Sequence, residues 1–110
     1  MPTAQQIQSL ADDIARKHRP ERIILFGSYA SSTQTASSDV DLLIVMPTPT
    51  RASILAGEIR AGCRVDYPLD VMVRSNDSLI ARRALGDPFI IDLLSHGKVL
   101  YEASDARMGR

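Results

Sequence analysis

RIILFGSYASSTQTASSDVDLLIVM, residues 22–46, sets two apolar runs on either side of a short polar connection. Arg22-Ile23-Ile24-Leu25-Phe26 and Leu42-Leu43-Ile44-Val45-Met46 are brief, bulky and strand-like, which predicts two strands. Between them stand Gly27-Ser28, ten further residues, and then Asp39-Val40-Asp41. A strand places alternate side chains on one face, so Asp39 and Asp41 project together while Val40 points the other way. Two carboxylates on one face form a hard oxygen cluster suited to Mg²⁺, which takes one or two carboxylates together with substrate phosphates. The Gly-Ser turn after the first strand offers backbone N–H groups and a hydroxyl, equipment for holding phosphate. Phosphate grip and metal grip in one segment point to chemistry on a nucleoside triphosphate.

Working outward, Pro68-Leu69-Asp70-Val71-Met72-Val73 predicts a further strand over 69–74 with a third acid near its start. If that strand lies beside Asp39–Asp41, three carboxylates meet at one end of a sheet. Two metal ions could then flank the attacking and leaving oxygens of an in-line displacement, and Asp70 would be placed to accept a proton from an attacking hydroxyl. Asp66 is the rival for this role and ranks second, because it precedes Pro68 and falls outside the strand run.

The remaining pattern is helical. Thr3 and Gln6 form a capping box before Ile7, Leu10, Ala11, Ile14 and Ala15, a 3.6-residue stripe ending at Arg19-Pro20. Asp12–Arg16 and Asp13–Lys17 are expected as i,i+4 pairs on its wet face. One or two helical turns should follow Gly27-Ser28, and Pro47-Thr48-Pro49 should stop the second strand, set at 39–46. A helix over 51–62 with Ile54, Leu55 and Ile59 inward leads to the third strand. A helix over 77–85 ends at Gly86, and Asp87-Pro88 caps a last helix running to about Ser95. Gly97 is expected as its left-handed terminator, before a final strand over 98–102. The expected product is an α+β (α/β-like) domain over residues 1–102, a mixed sheet of about four strands flanked by helices. Residues 103–110 are expected as a frayed tail.

Composition narrows the function. Lys plus Arg and Asp plus Glu are 13 each, giving zero formal net charge, against the basic excess of a nucleic-acid-binding surface. Arg16-Lys17 and Arg82-Arg83 read as solvated helix faces, and His18 and His96 as cations suited to the last turns of helices. The single cysteine, Cys63, excludes an internal disulfide and fits a reducing compartment; inert packing is its expected role. No apolar run reaches 18 residues and the N-terminus has no leader pattern, so a cytoplasmic location with no membrane contact is expected.

On these residues the chain resembles the minimal nucleotidyltransferases of the DNA polymerase β superfamily. The resemblance rests on Gly27-Ser28-(ten residues)-Asp39-Val40-Asp41 with Asp70 downstream. It extends from about Ile7 to Tyr101, including the closing segment Asp92–Tyr101. It implies the polymerase-β-like nucleotidyltransferase fold, ATP as substrate, two Mg²⁺ ions held by Asp39, Asp41 and Asp70 as the catalytic set, and Gly27 and Ser28 on the β- and γ-phosphates. Family members commonly carry an Arg and a second Gly in the turn; Tyr29-Ala30-Ser31-Ser32 has neither. Ser32 in the glycine place would restrict a positive-φ conformation, if that position requires one.

The resemblance further implies a partner. Stand-alone minimal domains of this kind are typically encoded with a helical HEPN-type toxin and act as its antitoxin. They transfer AMP from ATP to a tyrosine hydroxyl of that toxin. Two other outcomes stay open at this point: an antitoxin that neutralises by contact alone, and a small-molecule nucleotidyltransferase.

Overall fold

The computed structural model describes residues 1–48 and 51–104. Its elements run α1 (Ala4–His18), β1 (Arg22–Phe26), α2 (Ser28–Ser31), β2 (Val40–Val45), α3 (Ala52–Ala61), β3 (Leu69–Arg74), α4 (Asn76–Ala84), α5 (Pro88–His96) and β4 (Lys98–Glu102). The four strands form one mixed sheet in the order β3-β2-β1-β4. β1 runs antiparallel to both β2 and β4, whereas β2 and β3 are parallel and joined through α3.

The two central strands are apolar without alternation because both of their faces are covered. One core layer joins Ile23, Leu25, Val40, Leu42, Ile44 and Val73 to the α1 stripe and to Ile59 of α3. The other joins Ile24, Leu43 and Val45 to Leu79 of α4 and to Ile90 and Leu93 of α5. Val40, Leu42, Leu43, Ile44 and Val45 are fully buried, which leaves Asp41 as the polar interruption of β2. A one-residue slip of β2 would drive that carboxylate into the first core layer, so register is strongly specified.

Local chemistry sets the helix ends. The Thr3–Gln6 capping box closes with Gln6 N to Thr3 Oγ1 at 3.1 Å and Thr3 N to Gln6 Oε1 at 2.8 Å. All five expected stripe residues of α1 are buried. Asp87 caps α5 by accepting from the N–H groups of Phe89 and Ile90.

Several expectations need correction. Asp13 pairs with Arg16 at i,i+3, 2.6 Å, and not with Lys17. Asp12 instead accepts from Gln8, whose amide also reaches the Leu100 carbonyl of β4 and is thereby fixed beside it. Ile54 is 53% exposed, because Leu55 and Ile59 form the inward i,i+4 row and Ile54 stands about 100° around the helix from Leu55. α4 starts one residue early, capped by Ser75. Gly97 is extended at φ −68° and not left-handed. A Cβ there would stand 2.6 Å from both Ile24 Cγ2 and the Leu93 carbonyl, so close packing, not handedness, demands glycine. Of the expected tail, 105–110 lie outside the described residues, as does Pro49. Among the described residues, no helix is long and apolar enough to cross a membrane.

Candidate active site

β1 ends and β2 and β3 begin at the same edge of the sheet. In the β2–β3 ladder Asp41 stands directly opposite Asp70, and in the β1–β2 ladder it stands opposite Phe26. β2 begins at Val40 rather than at the expected Asp39, so Asp39 stands just ahead of the strand, close enough for its charge to act on Asp41, while Val40 is fully buried. Asp41, Leu43 and Val45 alternate onto the sheet face that carries α4 and α5, and Asp70 and Met72 do the same on β3. Asp39 and Asp70 are exposed, and Asp41 is half-buried.

Electrostatics mark these three residues as one group. The Asp41 carboxyl is raised above the ordinary carboxylate value, first by burial, then by the Asp70 charge and by the Asp39 charge. As the side chains stand, no group of three or more His, Cys, Asp or Glu among the described residues is gathered to hold a metal ion. Repulsion among like charges opposes such gathering. The donor set nevertheless fits Mg²⁺: hard carboxylate oxygens from two adjacent strands, partly open to solvent.

Gly27 joins the turn to the acids. Its backbone stands at φ 75°, ψ −155°, a region open essentially to glycine alone. A Cβ at this position would lie 2.3 Å from Asp41 Oδ2. The glycine therefore lets the turn pass directly against the carboxylate that the next strand presents. From there the chain makes the single turn of α2, with Ala30 N and Ser31 N bonded to the Gly27 carbonyl. Ser28 opens this turn, and Tyr29 and Ala30 fold into the first core layer. Ser32 adopts φ 60°, ψ 33°. The position does require a left-handed backbone, and a serine occupies it at a cost of about 1–2 kcal/mol.

Asp66 lies elsewhere. It lines a groove of about 900 Å³ between α1 and the α3–β3 connection, with Lys17, Cys63 and Tyr67. Cys63 donates its thiol to the Ile59 carbonyl at 3.2 Å, and burial, the largest influence, raises its pKa. A second groove, of about 600 Å³, is lined by Phe26, Gly27, Ser28, Ser31 and Thr33 together with Asp92, Leu93, His96 and Gly97, and it meets the acids only through Gly27, which stands against Asp41. Phe26 also meets Phe89 of α5 edge-on, with ring centroids 5.8 Å apart. Sequence reasoning did not connect Phe26, Asp92 or His96 with the site. The chain distance from His96 to Gly27 hides a neighbourhood that only the docking of α5 creates.

A family profile for the nucleotidyltransferase domain matches residues 7–100. Among solved structures, a protein of Sulfolobus solfataricus assigned to the nucleotidyltransferases superposes with a TM-score of 0.60 at 14% identity, over 87% of this chain and 77% of that one. The toxin–antitoxin MntA-HpeT mutant gives 0.58 at 18% identity, over 92% of this chain and 78% of that one. A toxin–antitoxin structure with AMP-PNP gives 0.50 at 20% identity with the same coverage. At these identities the structural likeness concerns the fold, which is the polymerase-β-like nucleotidyltransferase fold. No curated protein sequence matches. With the profile spanning most of its length, the chain belongs to the nucleotidyltransferase domain family.

Proposed function

We propose that this domain transfers AMP from Mg²⁺-bound ATP to a tyrosine hydroxyl of a HEPN-type toxin, and so acts in the cytoplasm as the antitoxin of a pair. The observation that carries the transfer chemistry is the register of Asp41 against Asp70 with Gly27 pressed against Asp41. Likeness in fold to toxin–antitoxin structures, one of them with AMP-PNP, supports the partner and the nucleotide.

In this reading the Gly27–Ser28 turn holds the β- and γ-phosphates with backbone N–H groups and the Ser28 hydroxyl. Asp39, Asp41 and Asp70 are the residues that would hold Mg²⁺, which supplies charge neutralisation on the phosphates and at the α-phosphorus. The acceptor oxygen forms a bond to the α-phosphorus as the bond from that phosphorus to the bridging oxygen breaks. Pyrophosphate leaves with the bonding pair. Asp70, at the open edge of the site, takes the hydroxyl proton. Gly27 keeps the turn close enough that its N–H groups and the carboxylates address the same nucleotide.

The test incubates the domain with labelled ATP, Mg²⁺ and the HEPN-type protein encoded beside it. The label should transfer to the partner, map to tyrosine and be lost with Asp70→Asn. A stable complex without added nucleotide would establish the contact-only antitoxin instead. Neither complex nor label would leave a small-molecule acceptor.

A further inference from the structure

The turn that should hold the triphosphate carries no cation of its own: Tyr29-Ala30-Ser31-Ser32 replaces the expected arginine with small or aromatic groups. The fold brings one from elsewhere. Among the described residues that line the groove beside Gly27 and Ser28, His96 is the basic side chain. We propose that His96 is a nucleotide-positioning residue that contacts the β- or γ-phosphate of the bound nucleoside triphosphate, with Asp92 as the group that orients its ring. This rests on the nucleotidyl-transfer reading above.

Three observations support the assignment. First, the end of α5 is fixed against β1, because Gly97 stands where any Cβ would strike Ile24 Cγ2 and the Leu93 carbonyl at 2.6 Å. The residue before it is therefore held beside the strand that runs into Gly27. Second, His96 Nδ1 lies 3.0 Å from Asp92 Oδ1 one turn back along α5. The carboxylate can only accept, so Nδ1 carries the proton of that contact, and Nε2 is free to donate to a phosphate when the ring is protonated. Third, the pair has little structural work to explain it. Both side chains are about three-quarters exposed, and an i,i+4 surface pair of this kind stabilises a helix only slightly.

The ligand class follows from the surroundings. Ser28, Ser31 and Thr33 line the same groove as His96, and Gly27 connects it to the Asp41 carboxylate. Asp92 and the carbonyls at the end of α5 would repel an anion on their own, so the imidazole is the group that admits one. A polyphosphate arm anchored at Gly27–Ser28 would enter the groove that His96 lines, whereas a nucleoside monophosphate has no β- or γ-phosphate to present to it.

The experiment measures binding by titration calorimetry in the presence of Mg²⁺, with ATP, AMP and pyrophosphate as separate probes. His96→Ala should weaken ATP and pyrophosphate roughly five- to tenfold, the scale of one lost hydrogen bond at a wet site. AMP should be unaffected, and His96→Arg should restore ATP. Asp92→Asn should give a smaller weakening in the same direction. The thermal midpoint should barely move in any variant, since the pair is exposed. Unchanged ATP affinity in His96→Ala, or equal weakening of ATP and AMP, would overturn the assignment and leave the transfer reading standing. Failure of the unmodified domain to bind any of the three would remove the transfer reading, and this proposal with it.

Discussion

Gly27→Ala adds one methyl group and tests the architecture of the site at its tightest point. Two separable costs follow from the structure. The backbone at φ 75°, ψ −155° is strained for any residue with a Cβ, by about 1–3 kcal/mol. The new methyl would also stand 2.3 Å from Asp41 Oδ2 and 3.3 Å from Asp41 Cγ, so the carboxylate must rotate away or the turn must lift off β2. For a domain of this size each kcal/mol lowers the thermal midpoint by about 4–8 °C. The expected loss is therefore roughly 5–20 °C, with an unchanged urea m-value because the fold persists. A displaced Asp41 should weaken Mg-ATP roughly 10–100-fold, the range seen when a metal ligand loses its support. Urea melts and calorimetry with Mg-ATP measure the two effects independently. A double-mutant cycle with Asp41→Ala divides the stability cost, since truncating Asp41 removes the clash but not the backbone strain. Gly27→Ala should then cost less in the Asp41→Ala background, by the energy of the clash. Wild-type stability together with wild-type affinity in Gly27→Ala would refute the reasoning, because neither the strain nor the contact would then be real.

Asp39→Asn with Asp41→Asn should abolish transfer of labelled nucleotide while keeping the circular dichroism of the fold; transfer at near wild-type rate would remove the acids from the chemistry. The folded Asp41 pKa is raised by burial and by Asp70 and Asp39, so its charged form opposes folding. That penalty is absent below the unfolded value of about 3.9 and sets in as pH rises through the folded value. In Mg²⁺-free buffer Asp41→Asn should thus melt above wild type at pH 7, and the gap should close near pH 3. Ser32→Gly relieves a left-handed serine at φ 60° but adds freedom to the unfolded chain. The opposing terms predict a net gain of about 0.5 kcal/mol in urea melts, and a clear loss would show that the Ser32 side chain supports the turn. Cys63, with its thiol pKa raised by burial and its hydrogen donated to Ile59, should react with iodoacetamide at pH 7.5 more slowly than free cysteine.

Where sequence reading succeeded, the information was local or periodic. The α1 boundary follows from Thr3, Gln6 and a five-residue apolar stripe, all within one helix whose geometry is regular. β1, β3 and β4 fall on the residues their apolar runs predict. The closeness of Asp39 to Asp41, felt in the Asp41 carboxyl, follows from their two-residue spacing, although β2 begins only at Val40. Where it failed, the deciding quantity was a neighbour. Ile54 is apolar at a helical spacing, yet α3 turns Ala52, Leu55, Ala56 and Ile59 toward the core and leaves Ile54 outside. Gly97 reads as a left-handed cap, although its lack of a side chain serves the approach of α5 to β1.

The candidate site divides along the same line. The amino-acid sequence by itself determined the turn glycine, the paired acids ten residues on, and the existence of a third acid in a later strand, because each lies within a short segment whose side-chain period is set by the backbone. Only the tertiary structure decided that Asp70 and not Asp66 stands beside Asp41. Parallel pairing across the α3 crossover sets that register, and no local signal encodes which residues of two distant strands align. It likewise decided that Gly27 lies against Asp41 and that His96 shares a groove with Ser28. Those proximities come from covering both faces of one sheet, a condition that every apolar residue of the core imposes together and that no short segment carries alone.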